Sequence, residues 1–162
     1  QQPSAPRAAA PAVSPATPGA AGPAFSAKDF HRELSATLRD LGADLNVVAA
    51  VRRVRGQGVP PAHHCGEFVD IITRAAEEKR GPARRSMFAF AAGLMNGEDS
   101  AFERARCLEG VRAFFREVYE ELCLEVPRLQ QIVSAELLPA LKSVASTRDL
   151  SAVLPEELRL AL

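Results

Sequence analysis

Three histidines and three cysteines are the first residues of this 162-residue chain to consider as ligands of a transition metal or as nucleophiles. His63 and His64 are adjacent, so on a helix they point to different sides and cannot both face one metal ion. His31 is remote from them in sequence, and no H-E-x-x-H pattern is present. The histidines therefore predict no metal site, and we interpret them as helix-start or surface residues.

The cysteines, Cys65, Cys107 and Cys123, are odd in number and far apart, and no C-x-x-C pair occurs. This spacing argues against a zinc site and against the disulfide framework of a secreted protein. Cys123 lies in an apolar stretch and is interpreted as a small core residue. Reduced thiols suit the cytoplasm or the nucleus, which are the compartments that we expect.

Sequence motifs for acyl transfer and for nucleotide binding are also missing, since G-x-S-x-G, G-x-x-x-x-G-K-[ST] and a G-x-G-x-x-G after a strand do not occur. The glycine-rich stretch at 55–58 follows a helical pattern, and we interpret it as a helix stop rather than a phosphate-binding loop. No cofactor is implied, and we expect a chain without catalytic activity.

Two basic clusters could contact RNA phosphates. The first ends the second predicted helix, where basic side chains meet the negative end of the helix dipole. The second surrounds the turn between the third and fourth predicted helices and is mixed with glutamates, as on a solvated surface. No aromatic residues alternate with these arginines to stack bases, and 20 basic residues balance 20 acidic ones, so RNA contact stays an alternative. The arginines concerned are Arg52, Arg53, Arg55, Arg84 and Arg85.

An acidic run occurs near the end of the fifth predicted helix and in the turn that follows it. It consists of Glu117, Glu120, Glu121 and Glu125. Judged by periodicity alone, it is a solvated face with one acid near the positive start of the next helix.

Apolar residues recur at intervals of three and four from Ser26, a predicted N-cap, onward. Gly and Pro residues separate six amphipathic segments, a weaker helical end follows, and no β-hairpin signal is present. The expected fold class is all-α, with antiparallel helical hairpins stacked like a short HEAT-like α-solenoid. The predicted inward stripes are Phe30, Leu34, Leu38 and Leu41; Val47, Val51 and Val54; Phe68, Ile72, Ala75 and Ala76; Met87, Phe90, Ala91 and Leu94; Leu108, Val111, Phe115, Val118 and Leu122; and Leu129, Ile132, Val133, Leu137 and Leu141.

Four residues are expected to mark helix boundaries. Gly42 should end the first helix, and Asp44 should start the second. Pro127 should be the first residue of the sixth helix, and Pro139 should kink or restart it.

Composition divides the chain into a linker and one domain. Residues 1–24 hold six of the twelve prolines and a single charge, Arg7, which predicts a disordered Pro/Ala-rich linker before a domain at 25–162. No apolar run reaches the length of a membrane span, so no membrane contact is expected. The chain begins without Met and ends on Leu158, Leu160 and Leu162, as a fragment of a longer protein would.

The stretch from Gly110 to Pro127 resembles the MI domain (also written MA-3) of the translation-initiation scaffold of the factor 4G type and of programmed cell death protein four. Leu124-Glu125-Val126-Pro127 occupies the place of that family's Leu-Asp-Val-Pro segment, with Glu in place of the usual Asp. Upstream, the stretch at 59–69, with His63, His64 and Glu67, is similar to the family's Pro…His-Glu-x-Val stretch. The resemblance covers about residues 28–144.

Membership in this family would imply a stack of helical hairpins without catalysis. It would also imply binding to a DEAD-box RNA helicase of the initiation factor 4A type, in translation initiation or its regulation. Glu125 matches the family's helicase-contacting acid, Pro127 matches the turn proline, and Glu117 and Glu121 are acidic neighbours. The alternatives are an RNA-contacting domain and an architectural helical-repeat scaffold.

Overall fold

The computed structural model describes residues 24–162, and within them every regular element is helical. The predicted linker therefore lies outside the described residues, apart from Ala24. Within the described part, no helix is both long enough and apolar enough to cross a membrane. The elements are α1 (Ala27–Asp44), α2 (Val47–Arg55), α3 (Pro61–Glu77), α4 (Gly81–Leu94), α5 (Arg104–Ala113), a π turn (Phe114–Val118), α6 (Tyr119–Glu125), α7 (Leu129–Ile132), a second π turn (Val133–Leu137), α8 (Leu138–Lys142), α9 (Thr147–Val153) and α10 (Glu156–Arg159).

The first helix begins as predicted but ends three residues later than expected. The Ser26 hydroxyl accepts a hydrogen bond from the Asp29 N–H at 3.3 Å, as an N-cap does. The prediction that Gly42 ends the helix is wrong, because Leu45 is the left-handed residue after Asp44, at φ 58°. Gly42 instead permits a close approach, since a Cβ there would lie 2.8 Å from an Arg80 guanidinium nitrogen and near Met87.

The second helix begins at Val47, after Asn46, and not at Asp44 as expected. The Asn46 side chain accepts from the Ala49 N–H at 3.1 Å, so Asn46 is the N-cap. Val54 is buried as predicted, whereas Val47 and Val51 are only half-buried. The predicted valine stripe therefore straddles the edge of the core.

The helices form a stack around α4, which packs against α1, α2, α3 and α8. On the other side, α3 packs against α5, and α9 packs on α5. The predicted all-α stack is confirmed, and a single cluster of buried side chains runs through it. The largest fully buried aromatic residues are Phe68, Phe88, Phe90, Phe102 and Phe114.

Two π turns interrupt the last long helices without breaking them. In the long helix (104–125), the Tyr119 N–H bonds to the Phe114 carbonyl, and both Phe114 and Phe115 are buried as a result. In the helix at 129–142, the predicted kink takes the form of a π turn just before Pro139, which has no N–H to give to an α-helical bond.

Pro127 lies in the turn before this last helix. The prediction that it is the first helical residue is therefore wrong, because the helix begins at Leu129.

Candidate functional site

The acidic face is an exposed surface near the carboxyl end of the long helix, and we define it as Glu120, Glu121, Leu124 and Glu125. Residues 121, 124 and 125 are spaced i, i+3 and i+4, so their side chains project from one side of α6. All four are exposed, and Leu124 is 86% exposed. No ion pair or side-chain hydrogen bond to these glutamates is present among residues 24–162.

The opposite side of α6 is anchored in the core. Leu122 is buried, and Tyr119 and Cys123 are half-buried. Burial raises the pKa of Tyr119 to about 12, with a further contribution from the neighbouring Cys123. The acidic face is therefore carried on a packed helix, which fixes the directions of its side chains.

Glu117 and Pro127 lie on either side of the acidic face. Glu117 is exposed and accepts a hydrogen bond from the adjacent Arg116. Pro127 is exposed in the turn after Val126, whose backbone is extended at φ −116° and ψ 90°. The residues predicted for partner binding, Glu117, Glu121, Glu125 and Pro127, thus lie at one end of the long helix.

In the first basic cluster, one arginine forms ion pairs within the fold and the other two are exposed. Arg53 donates to Asp40 at 2.9 Å and to Glu33 at 3.3 Å, and these hydrogen bonds raise the pKa of Arg53. They tie α2 to α1. Arg52 and Arg55 are exposed and form no ion pair within the described residues.

In the second basic cluster, too, one of the two predicted arginines is paired within the fold and the other is exposed. The Arg84 guanidinium donates two hydrogen bonds of 2.8 Å to Glu136 and one of 3.0 Å to the Glu78 carbonyl. The Arg84 and Glu136 side chains are only 14% and 13% exposed, and the pairing raises the pKa of Arg84. Arg85 is exposed, without an ion pair in residues 24–162. Three of the five arginines predicted for RNA contact, Arg52, Arg55 and Arg85, are therefore accessible to a ligand.

The histidines each make a contact that supports the fold. Buried His64 bonds through Nε2 to the Val59 carbonyl at 2.7 Å and accepts the Glu103 N–H at Nδ1 at 2.9 Å. These partners require the tautomer with the proton on Nε2. His64 also stacks on Phe102 at 4.6 Å, so it joins the start of α3 to the start of α5.

The other two histidines lie on α1 and α3. His31 Nε2 is 2.9 Å from both carboxylate oxygens of buried Glu67, which links the two helices. His63 is exposed and lies against the Phe25 ring at 4.8 Å. Among residues 24–162, no three His, Cys, Asp or Glu side chains are grouped as a metal site would require.

Two of the three thiols, those of Cys65 and Cys107, are in surroundings that oppose ionisation. Burial raises the pKa of Cys107 well above its ordinary value, and Cys65 next to it adds to the effect. Burial also raises the pKa of Cys65, with contributions from Glu109 and Glu117. Because the thiolate is the nucleophilic form, this arrangement disfavours cysteine chemistry at neutral pH.

The exposure of Leu124 was not predicted from the sequence. It does not belong to the inward stripe of the long helix, which passes through Leu122, and that offset was the available signal. The pairing of Glu67 with His31 was also missed, because its partners are 36 positions apart. Comparison of the chain with protein-family models, with curated proteins and with solved structures found no match.

Proposed function

We propose that this chain is a non-catalytic interaction domain that binds a DEAD-box RNA helicase of the initiation factor 4A type, in the control of translation initiation in the cytoplasm. The observation that carries the proposal is the acidic face, where Leu124 is exposed among glutamates that form no ion pair with any residue from 24 to 162. The resemblance to the MI domain supplies the class of partner. The acidic face supplies the contact surface on this chain.

The dipole of the long helix does not explain the position of these acids, although Glu125 also precedes the positive start of the next helix at Leu129. Glu120, Glu121 and Glu125 lie in the last turns of the long helix, whose carboxyl end carries the negative part of the helix dipole. An acid there is unfavourable by roughly 0.3–1 kcal/mol, whereas a basic residue would be favourable. A role outside the fold, in binding a partner, accounts for both the acids and the exposed leucine.

The acidic face also has the composition of a protein contact. An apolar side chain at its centre can be desolvated by the partner, while the glutamates around it meet basic groups. Charges of this kind mainly accelerate association and select the partner, and the buried anchor slows dissociation. Leu124 is the proposed anchor, and Glu121 and Glu125 are the proposed charged contacts.

Binding of the full chain to the purified helicase tests this assignment. Glu125→Lys should weaken the affinity at least about tenfold, equivalent to about 1.4 kcal/mol, and should change the free energy of unfolding by no more than about 1 kcal/mol. Leu124→Ser should raise the dissociation rate. Glu77→Lys is the matched control, because Glu77 is an exposed acid at the end of α3 without an ion pair in the described part of the chain, and it should bind normally.

Two results would overturn the proposal. The first is an absence of binding at tens of micromolar of the unmodified chain. The second is normal binding by the Glu121→Lys, Leu124→Ser and Glu125→Lys variants together, since the contact would then lie elsewhere.

RNA contact through Arg52, Arg55 and Arg85 is the second candidate, because these guanidinium groups are exposed. It requires an RNA affinity that falls steeply with salt and that decreases when the three arginines are replaced by Ala. Arg84 is unsuitable for this test, because its loss would leave Glu136 unpaired. The net charge of zero and the internal pairing of Arg53 and Arg84 make this candidate the weaker one.

A further inference from the structure

A second exposed surface lies on α2, which packs against α1 and α4. Val48, Val51, Arg52 and Arg55 project from one side of this helix, since they are spaced i, i+3, i+4 and i+7. Val48 is 69% exposed and Val51 is half-buried. The dipole of α2 explains the arginines at its carboxyl end, but it does not explain the exposed valine.

These side chains line a groove between α2 and the end of α4, which we call the α2 groove. Its volume is about 280 Å³, and its lining includes Val47, Val48, Val51 and Gly93, with Arg52 and Arg55 beside them. An engineered apolar cavity of roughly 150 Å³ takes up benzene, so this groove has room for a branched aliphatic side chain. Its chemistry selects an apolar side chain that is flanked by acids.

The part of the chain outside the structure does not meet this requirement. Its only charge is Arg7, so it contains no acid to pair with the arginines of the groove. The acidic face does meet the requirement for an apolar side chain flanked by acids, because Leu124 lies between Glu121 and Glu125 at helical spacing. Within one molecule both surfaces are exposed, so neither covers the other.

We propose that the α2 groove binds the acidic face of a second copy of this chain, with Leu124 between Val48 and Val51. Glu121 and Glu125 of that copy then meet Arg55 and Arg52. The contact is head-to-tail, so one copy keeps a free acidic face and the other a free groove, and association continues beyond the dimer. With one apolar anchor and two exposed charge pairs the association should be weak, with a dissociation constant on the order of 10⁻⁴ M.

This association uses the acidic face that the proposed function assigns to the helicase. A bound helicase therefore blocks one of the two surfaces needed for the head-to-tail contact. Self-association goes beyond the helicase assignment, because it depends on the groove arginines, which the helicase contact does not use.

Sedimentation of the full chain over a concentration range around that dissociation constant measures the association. The average mass should rise with concentration, and the rise should weaken several-fold between about 50 mM and 500 mM salt, because the charged pairs are exposed. A chain that stays monomeric up to about 1 mM at low salt overturns the proposal. So does an association that nuclease treatment abolishes.

Charge reversal makes the test specific. The Arg52→Glu/Arg55→Glu variant has an acidic groove and an acidic face, whereas the Glu121→Lys/Glu125→Lys variant has a basic groove and a basic face. Each variant alone should be monomeric, and an equimolar mixture should associate, because each groove then meets a face of opposite charge. Unchanged association of either variant alone, or a mixture that stays monomeric, contradicts the proposal.

The same variants separate this inference from the proposed function. The Arg52→Glu/Arg55→Glu variant keeps the acidic face, so it should bind the helicase with unchanged intrinsic affinity while it fails to self-associate. Val48→Asp is the check on the apolar part of the contact, and it should reduce self-association at least about fivefold without changing the melting temperature. Self-association of Val48→Asp at the unmodified level contradicts the assigned anchor site.

Discussion

The two halves of the long helix (104–125) have opposite surroundings. In the first half, Cys107, Gly110 and Val111 are buried against α3. In the second half, one side of α6 is buried and the other is the acidic face. Leu122 is 4% exposed and Leu124 is 86% exposed, although the two residues are the same type and two positions apart. The comparison shows that one rigid helix can provide both the core and a surface that is open to a partner.

The largest expected effect is in the buried part of this helix. Phe115 is 7% exposed, and its ring lies 5.2 Å from both Phe114 and Tyr119. Phe115→Ala should lower the free energy of unfolding by about 3–5 kcal/mol, since it removes a buried ring and leaves a cavity. Denaturant unfolding measures this change. A loss under about 1 kcal/mol would mean that the ring is exposed in solution.

The leucine pair tests the comparison most directly. Leu122→Ala should destabilise the chain by about 2–5 kcal/mol, because it leaves a cavity in the core. Leu124→Ala should change stability by less than about 0.5 kcal/mol, because the side chain is in solvent. Thermal or chemical unfolding of the two variants side by side gives the difference, and equal effects would contradict the described orientation of α6.

His64 and His63 provide a second matched pair, at the packing of α3 on the start of the long helix. His64→Leu leaves the Val59 carbonyl and the Glu103 N–H without their partner, which should cost about 2–4 kcal/mol of stability. His63→Leu should cost less than about 1 kcal/mol, because His63 is exposed. The free energies of unfolding of the two variants should therefore differ clearly, and a similar loss in both would show that the bonds of His64 contribute little.

The smallest expected effect is at Gly110, where α5 crosses α3. A Cβ at this position would lie 3.0 Å from the Cys65 carbonyl oxygen and 3.2 Å from the Phe68 Cβ. Overpacking should cost about 1–3 kcal/mol, and the better helix propensity of Ala should return about 1 kcal/mol. The expected net loss of stability for Gly110→Ala is therefore between about 0 and 2 kcal/mol. Gly66→Ala is the control, because nothing lies within 4 Å of its added Cβ, and it should stabilise the chain by up to about 1 kcal/mol.

Local sequence pattern was sufficient to predict the helices. The spacing of apolar residues predicted six main helices and most of their buried faces, because helical periodicity and burial are linked within a single turn. The Ser26 cap was also predicted, since its hydrogen bond reaches only three residues. The boundary predictions failed at Gly42, Asp44 and Pro127. Gly42 lies against another helix, and the helices expected to start at Asp44 and Pro127 begin further along the chain, after a turn.

The candidate site was predictable only in part. The acidic run and its place before Pro127 could be read from the sequence, because both are local. Their exposure could not, and neither could the division of the arginines into paired and free. The partner of Arg84, Glu136, is 52 positions away, and only packing of the two helices brings it within hydrogen-bond distance.

The amino-acid sequence by itself determined the helical character of this protein, its apolar stripes and the order of its charges, because these depend on neighbours within one or two turns. Only the tertiary structure decided which of two adjacent histidines is buried, which arginines are neutralised and which leucine faces solvent. The physical reason is that burial and ion pairing depend on distances between groups remote in the chain, and those distances exist only after the hairpins have stacked.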